Sequence, residues 1–116
     1  MAKVKETIGM DTLDKIDIRV GTIKLVEDVE GSDRLVKFTV DFGDFTRTIL
    51  CGMKEEREDP KAEVEGRQAL FVVNLEPRKI FGIESHGMLF DIGYEDGITP
   101  VLAVPEKEVP NGVRLG

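Results

Sequence analysis

The 116-residue sequence predicts an all-β domain, a five-stranded Greek-key barrel with short N- and C-terminal extensions. Three observations predict it. Short β-branched runs recur along the chain, separated by turn residues at roughly the 8–12-residue spacing of small barrels and sandwiches. One of those runs alternates strictly between apolar and polar residues. Another contains a glycine where a long strand would have to bend around a barrel.

The elements follow in order. Asp11-Thr12-Leu13-Asp14-Lys15 can cap one helical turn at the end of an extension over residues 1–13. The barrel domain then spans 14–116. Ile16–Val29 is the first strand, with Gly21 at its expected bulge, and Glu30-Gly31-Ser32-Asp33 is a turn. Leu35–Phe42 places Val36, Phe38, Val40 and Phe42 on one face, the pattern of a strand with one buried side. Gly43-Asp44 leads by a hairpin into Phe45–Cys51. Met53–Gly66 is dense in Glu, Lys and Asp and reads as a solvated loop with at most a short helix. Gln68–Leu75 is almost wholly apolar and is expected to be the most buried strand. Met88–Ile92 and Val101–Val104 complete the set. Five or so strands, a glycine-bent first strand and an interposed charged connection suit a barrel of the OB type, though a sandwich or an SH3-like barrel has the same periodicity.

Composition narrows the function. With 41% apolar and 34% charged residues, the chain is neither membrane-spanning nor disordered in character. Its N-terminus lacks the apolar core of a signal peptide, so a cytoplasmic location is expected, with no membrane partner. A single cysteine, Cys51, fits a reducing compartment, and one Cys with one His leaves little for a structural metal. The net charge of −7 argues against a wholesale polyanion binder, since such domains usually carry an excess of Lys and Arg. A local cationic patch still acts within a Debye length of about 8–10 Å. Charge should therefore be segregated, with the Met53–Gly66 loop pointing away from any such patch.

Catalytic motifs are near misses. Ile83-Glu84-Ser85-His86-Gly87 lacks the first glycine of a nucleophile elbow, and adjacent strand side chains point apart, which places His86 poorly as a base for Ser85. His86 reads as a solvent-facing loop histidine. Asp41-Phe42-Gly43 has none of the kinase loops that give that tripeptide meaning. The carboxylates Glu55, Glu56, Glu58 and Asp59 alternate with Lys54, Arg57 and Lys61, as on a solvated surface. Cys51, Met53 and Met88 read as core residues. No catalytic residue, metal site or cofactor is expected.

Binding groups concentrate in Val73–Met88. Arg78 and Lys79 stand side by side after Pro77 and before Gly82. Arg grips phosphate bidentately or stacks on a base, whereas Lys acts as a point charge. Asn74 offers a donor and an acceptor, and Ser85 a hydroxyl. Phe81 is the aromatic that could stack on a base, although core packing is the expected role for a phenylalanine. Arg34, Lys37 and Arg47 lie on or beside the second and third strands, the face that OB folds use for oligonucleotides.

Together these residues carry a resemblance. Asp17-Ile18-Arg19-Val20-Gly21-Thr22-Ile23, then Val73-Asn74-Leu75-Glu76-Pro77-Arg78-Lys79 and Gly82-Ile83-Glu84-Ser85-His86-Gly87-Met88, resemble the tRNA-binding domain family. That family comprises stand-alone tRNA-binding proteins, C-terminal domains or β subunits of methionyl-tRNA synthetases, and CsaA export chaperones. The resemblance implies an OB fold, a homodimer, and recognition of tRNA by shape and backbone. It places tRNA binding on Asn74, Arg78, Lys79, Ser85 and Met88, with Arg34, Lys37 and Arg47 as further candidates. The ending Val109-Pro110-Asn111-Gly112-Val113 resembles a tail that lies at the family's dimer contact. An aminoacyl-tRNA synthetase is an implied partner. The CsaA branch, which implies binding of unfolded peptides, is the alternative.

Overall fold

The computed structural model describes residues 2–116 of the chain. A short helix, α1 (Met10–Leu13), precedes β1 (Ile18–Asp28), β2 (Val36–Asp41) and β3 (Thr46–Cys51). Helix α2 (Pro60–Val64) and β4 (Gln68–Val72) follow, then the short strands β5 (Arg78–Ile80), β6 (Ile83–Ser85), β7 (Met88–Leu89), β8 (Asp91–Ile92) and β9 (Val101–Leu102). The main sheet is antiparallel in the order β3-β2-β1-β4-β7. Its two edges then approach one another. The His86 N–H donates to the Thr48 carbonyl at 2.9 Å, and the Leu50 N–H donates to Ser85 Oγ at 3.0 Å. The result is a nearly closed five-stranded antiparallel barrel, the OB-type architecture expected from the sequence, and not the sandwich that shares its periodicity.

Closure depends on β1 serving two neighbours. Ile18–Thr22 pairs with β4 and Thr22–Asp28 with β2, so the strand changes partner at Thr22. The register shift lies between Ile23 and Leu25, which makes Lys24 the bulged residue rather than Gly21. Gly21 is needed for a different reason. A Cβ there would stand 2.6 Å from Val40 Cγ1 and 2.7 Å from Phe42 Cε1. No larger residue fits without displacing the core.

The core comprises Ile23, Phe38, Val40, Phe42, Ile49, Met53, Val64, Ala69 and Phe71, with the Phe42 and Phe71 rings edge to face at 5.5 Å. Burying each large apolar side chain contributes roughly 1.5–3 kcal/mol. Met53 and Val64 bracket the charged connection that the sequence presents as a solvated loop with at most a short helix, and α2 is that helix. Both are in the core, and Asp59 caps α2 by accepting the Ala62 N–H at 3.1 Å. The segment is therefore packed onto the barrel, and its three cations are paired: Lys61–Glu65 at 2.7 Å, Lys54–Asp28 at 3.0 Å and Arg57–Glu63 at 3.3 Å.

The C-terminal tail is docked onto the barrel. Along the part of β1 not paired to β2, Gly112 N–H donates to Val20 O, Val20 N–H to Val113 O, and Leu115 N–H to Ile18 O. Gln68 fixes the preceding turn by exchanging hydrogen bonds with the Val109 backbone.

Candidate nucleic-acid interface

After β4 the chain passes Pro77 and folds back as the β5–β6 hairpin, where the sequence suggests a loop. Ile80 faces Ile83, and the two residues between them, Phe81 (φ 51°) and Gly82 (φ 78°), both have positive φ. This is the geometry of a type I′ turn, which matches strand twist and favours Asn-Gly. Phenylalanine in that conformation is a steric outlier. Phe81 does not fill the core: it is 57% exposed at the hairpin tip. Its Cδ1 stands 3.6 Å from the place a Gly31 Cβ would occupy, so the ring spans to the β1–β2 loop.

That contact defines the site. The hairpin in the β4–β7 connection and the β1–β2 loop meet beside β3, and these two connections flank the β2–β3 face by which OB barrels hold oligonucleotides. Alternation along the hairpin leaves Lys79 opposite Glu84 and Arg78 opposite Ser85. Arg78 and Lys79 are exposed and enter no ion pair among the described residues.

The other predicted residues divide by what their side chains already hold. Ser85 is 8% exposed, and its Oγ accepts the Leu50 N–H, sewing the hairpin to β3. Asn74 Oδ1 accepts the Asp17 N–H at 2.9 Å while Nδ2 donates to the Lys15 carbonyl at 2.6 Å, tying the N-terminal segment to the end of β4. Both side chains are committed within the protein. Met88 is 44% exposed rather than core filling. His86 is half-buried, with its backbone in the barrel closure, and is not a free loop residue. Lys37 lies on the outer β2–β3 face, 3.5 Å from Glu27. Arg34 is exposed in the β1–β2 loop, which Ser32 Oγ shapes by accepting the Arg34 and Leu35 N–H groups. The Met53–Gly66 segment starts beside it, with the Lys54 N–H donating to the Arg34 carbonyl at 3.2 Å.

Arg47 is oriented differently from Lys37. It pairs with Val40, an inward residue, so it points to the barrel mouth. There it donates to the Val73 carbonyl at 2.8 Å and lies 4.8 Å from the Phe45 ring centroid, with Arg19 at 5.7 Å. Arg19 in turn grips Asp17 through two hydrogen bonds, 2.9 and 3.0 Å. That bond, aided by the charges of Arg114 and Arg47, holds the Asp17 carboxyl below its ordinary range. This arginine–phenylalanine stack is the feature that sequence reasoning misses. The inward parity of Arg47 on β3 is its only trace in the sequence.

A family model described as "Putative tRNA binding domain" matches residues 18–114. The chain belongs to the tRNA-binding domain family. Similar proteins fall in line with this. The methionine–tRNA ligase of Archaeoglobus fulgidus is 39% identical over 111 residues, covering 96% of this chain and 16% of the ligase. The chain thus spans about one sixth of the curated relatives it matches. The crystal structure of a MetRS-related protein from Pyrococcus horikoshii superposes with TM-score 0.86 at 38% identity, covering 97% of this chain and all of that one. A CsaA chaperone from Picrophilus torridus gives TM-score 0.80 at 26% identity over 95% of this chain and all of that one.

As a tRNA-binding domain, the chain has an unpromising nucleophile in Cys51. Burial, aided by the nearby Glu56 and Asp91 carboxylates, pushes its thiol up to about 12. No group of His, Cys, Asp and Glu suited to a metal occurs among the described residues, and none of their helices is long and apolar enough to cross a membrane.

Proposed function

We propose that this tRNA-binding domain acts without catalysis, recognising tRNA by shape and backbone, either as a stand-alone protein or as an accessory subunit of a methionyl-tRNA synthetase. One observation carries the reading: an exposed aromatic side chain is held in a costly backbone conformation at the tip of the hairpin that bears Arg78 and Lys79. Strain of this kind persists where function demands it. Arg78 and Lys79 meet phosphates and Phe81 stacks on an unpaired base, with Arg34, Lys37, Arg47 and Met88 extending the surface. Asn74 and Ser85 act by positioning that surface through the bonds they already make.

A homodimer fits the same reading. Ile8, Met10 and Leu13 near one end of the chain, and Ile92, Tyr94, Ile98 and Val101 near the other, are exposed large apolar side chains that a second copy could cover. Two copies of a modest cationic surface would bind one tRNA with a gain in effective concentration. Sedimentation equilibrium measures this directly.

A second reading, an export chaperone that binds unfolded peptides, draws on the likeness to CsaA and on the exposure of Leu75, Phe81 and Met88 along one connection. Fluorescence anisotropy with labelled tRNA, run beside an aggregation assay on an unfolded client, separates the two. Submicromolar tRNA binding at low salt, without client protection, supports the first reading. Client protection with no tRNA binding overturns it.

A further inference from the structure

Arg34 lies three residues beyond Gly31 in the β1–β2 loop, the loop that meets the Phe81 ring. Its backbone is fixed from two directions. The Arg34 N–H donates to Ser32 Oγ at 3.2 Å, and its carbonyl accepts the Lys54 N–H at 3.2 Å. Its side chain is exposed, and the guanidinium enters no ion pair or hydrogen bond among the described residues. A long unpaired side chain of this kind ordinarily samples many rotamers.

This one lies over Gly52. A Cβ added at Gly52 would stand 2.6 Å from Arg34 Nη1 and 3.6 Å from its Cγ and Cζ, and these are the three nearest heavy atoms it would meet. The backbone does not demand glycine here, because Gly52 is not among the glycines with positive φ. Gly21, also of ordinary φ, is enforced by core atoms of Val40 and Phe42. At Gly52 the excluding atoms belong instead to one flexible surface side chain. Alanine there would displace the guanidinium and leave the core alone.

The end of β3 thus carries two anchors. The Leu50 N–H holds Ser85, the residue opposite Arg78 in the hairpin, and Gly52 holds Arg34. Two residues of extended chain span roughly 7 Å. The hairpin cations and the loop cation are therefore referenced to one short stretch of backbone.

We propose that Gly52 is a positioning residue for RNA binding: the side chain it lacks leaves a seat for the Arg34 guanidinium, which meets a phosphate of bound tRNA already ordered. This rests on tRNA binding at the hairpin face and adds to it a residue that acts only through another. A guanidinium held in place loses less freedom on gripping a phosphate than one that must first be ordered.

The test is tRNA affinity and its salt dependence, by fluorescence anisotropy with unfractionated tRNA. It compares the wild-type protein, Arg34→Ala, Gly52→Ala, Arg34→Ala/Gly52→Ala and Arg78→Ala/Lys79→Ala, with urea midpoints measured alongside. Arg34→Ala should weaken binding about three- to tenfold and lower the magnitude of the log–log slope by about one. Gly52→Ala should weaken binding about threefold with the slope held, since the charge remains. On the Arg34→Ala background, Gly52→Ala should leave affinity unchanged and the urea midpoint unchanged or higher, because no side chain is left to displace. Equal loss from Gly52→Ala on both backgrounds would make the glycine purely structural and overturn its positioning role. Unchanged affinity in Arg34→Ala would overturn it too, and that variant carries the test should Gly52→Ala fail to fold. If only the hairpin variant loses affinity, the Gly52–Arg34 role is overturned and the hairpin reading stands. If the Arg34 and Gly52 variants lose affinity while the hairpin variant keeps it, the positioning role stands and the hairpin reading is overturned. A wild-type protein that binds no tRNA overturns both.

Discussion

The Phe81 ring stands against Gly31, its Cδ1 and Cε1 lying 3.6 and 3.7 Å from where a Gly31 Cβ would be. Gly31 has a φ of +87° and Phe81 of 51°, so both partners occupy left-handed backbone to make this contact. The two loops that frame the β2–β3 face are thereby linked through one exposed aromatic residue.

Phe81→Asn separates the turn from the ring. Asn suits the first position of a type I′ turn, so the midpoint of urea unfolding should hold or rise. Stacking on a base contributes about 1–3 kcal/mol, so tRNA affinity should fall about tenfold in an anisotropy titration. A loss of stability at unchanged affinity would make the ring a structural strut instead.

Ser85→Ala should act through the fold. It removes the acceptor of the Leu50 N–H at a buried seam, which costs about 1–2 kcal/mol. Urea denaturation checks this. The variant that remains folded should still bind tRNA, because the hydroxyl is already used within the protein.

The acid side has a specific signature at Asp17. Its carboxyl is held below the ordinary value of 3.8, chiefly by the Arg19 hydrogen bonds. A folded-state pKa below the unfolded one stabilises the fold above the unfolded value, and that contribution is lost as pH falls through the folded pKa. Arg19→Gln should therefore raise the Asp17 titration midpoint by NMR. It should also remove the associated acid-side decline in stability. Because the pair is partly exposed, the effect on overall stability should be well under about 1 kcal/mol at neutral pH.

Cys51 should be inert while the protein is folded. With its thiol pushed up to about 12, it holds almost no thiolate at pH 8. Iodoacetamide at that pH should leave the native protein unmodified and label it promptly in denaturant, as read by intact mass.

Much of this architecture is legible in the residues. Strict alternation from Val36 to Phe42 specifies a strand with one buried face, and the buried pattern follows it residue for residue. The β5–β6 hairpin is harder to see, because Phe81-Gly82 is not a pair that announces a type I′ turn and its flanking strands have three residues each. Local preference yields there to the packing of Ile80 and Ile83 and to the Ser85 seam. Gly21 signals a special backbone site but not its cause, since the constraint comes from Val40 and Phe42, distant in sequence. The candidate binding residues are legible as types. Which side chains are free, as with Arg78 and Lys79, and which are committed, as with Asn74 and Ser85, depends on partners up to 59 residues away.

The central claim, that the Arg78–Lys79 hairpin holds tRNA by its phosphates, is tested most directly by tRNA affinity as a function of salt for the wild-type protein and Arg78→Ala/Lys79→Ala. Each lost phosphate contact should lower the magnitude of the log–log slope by about one. The expected result is a slope smaller by about two, with affinity reduced at least tenfold at low salt and the fold intact by circular dichroism. A folded double variant with the wild-type slope and affinity would contradict it.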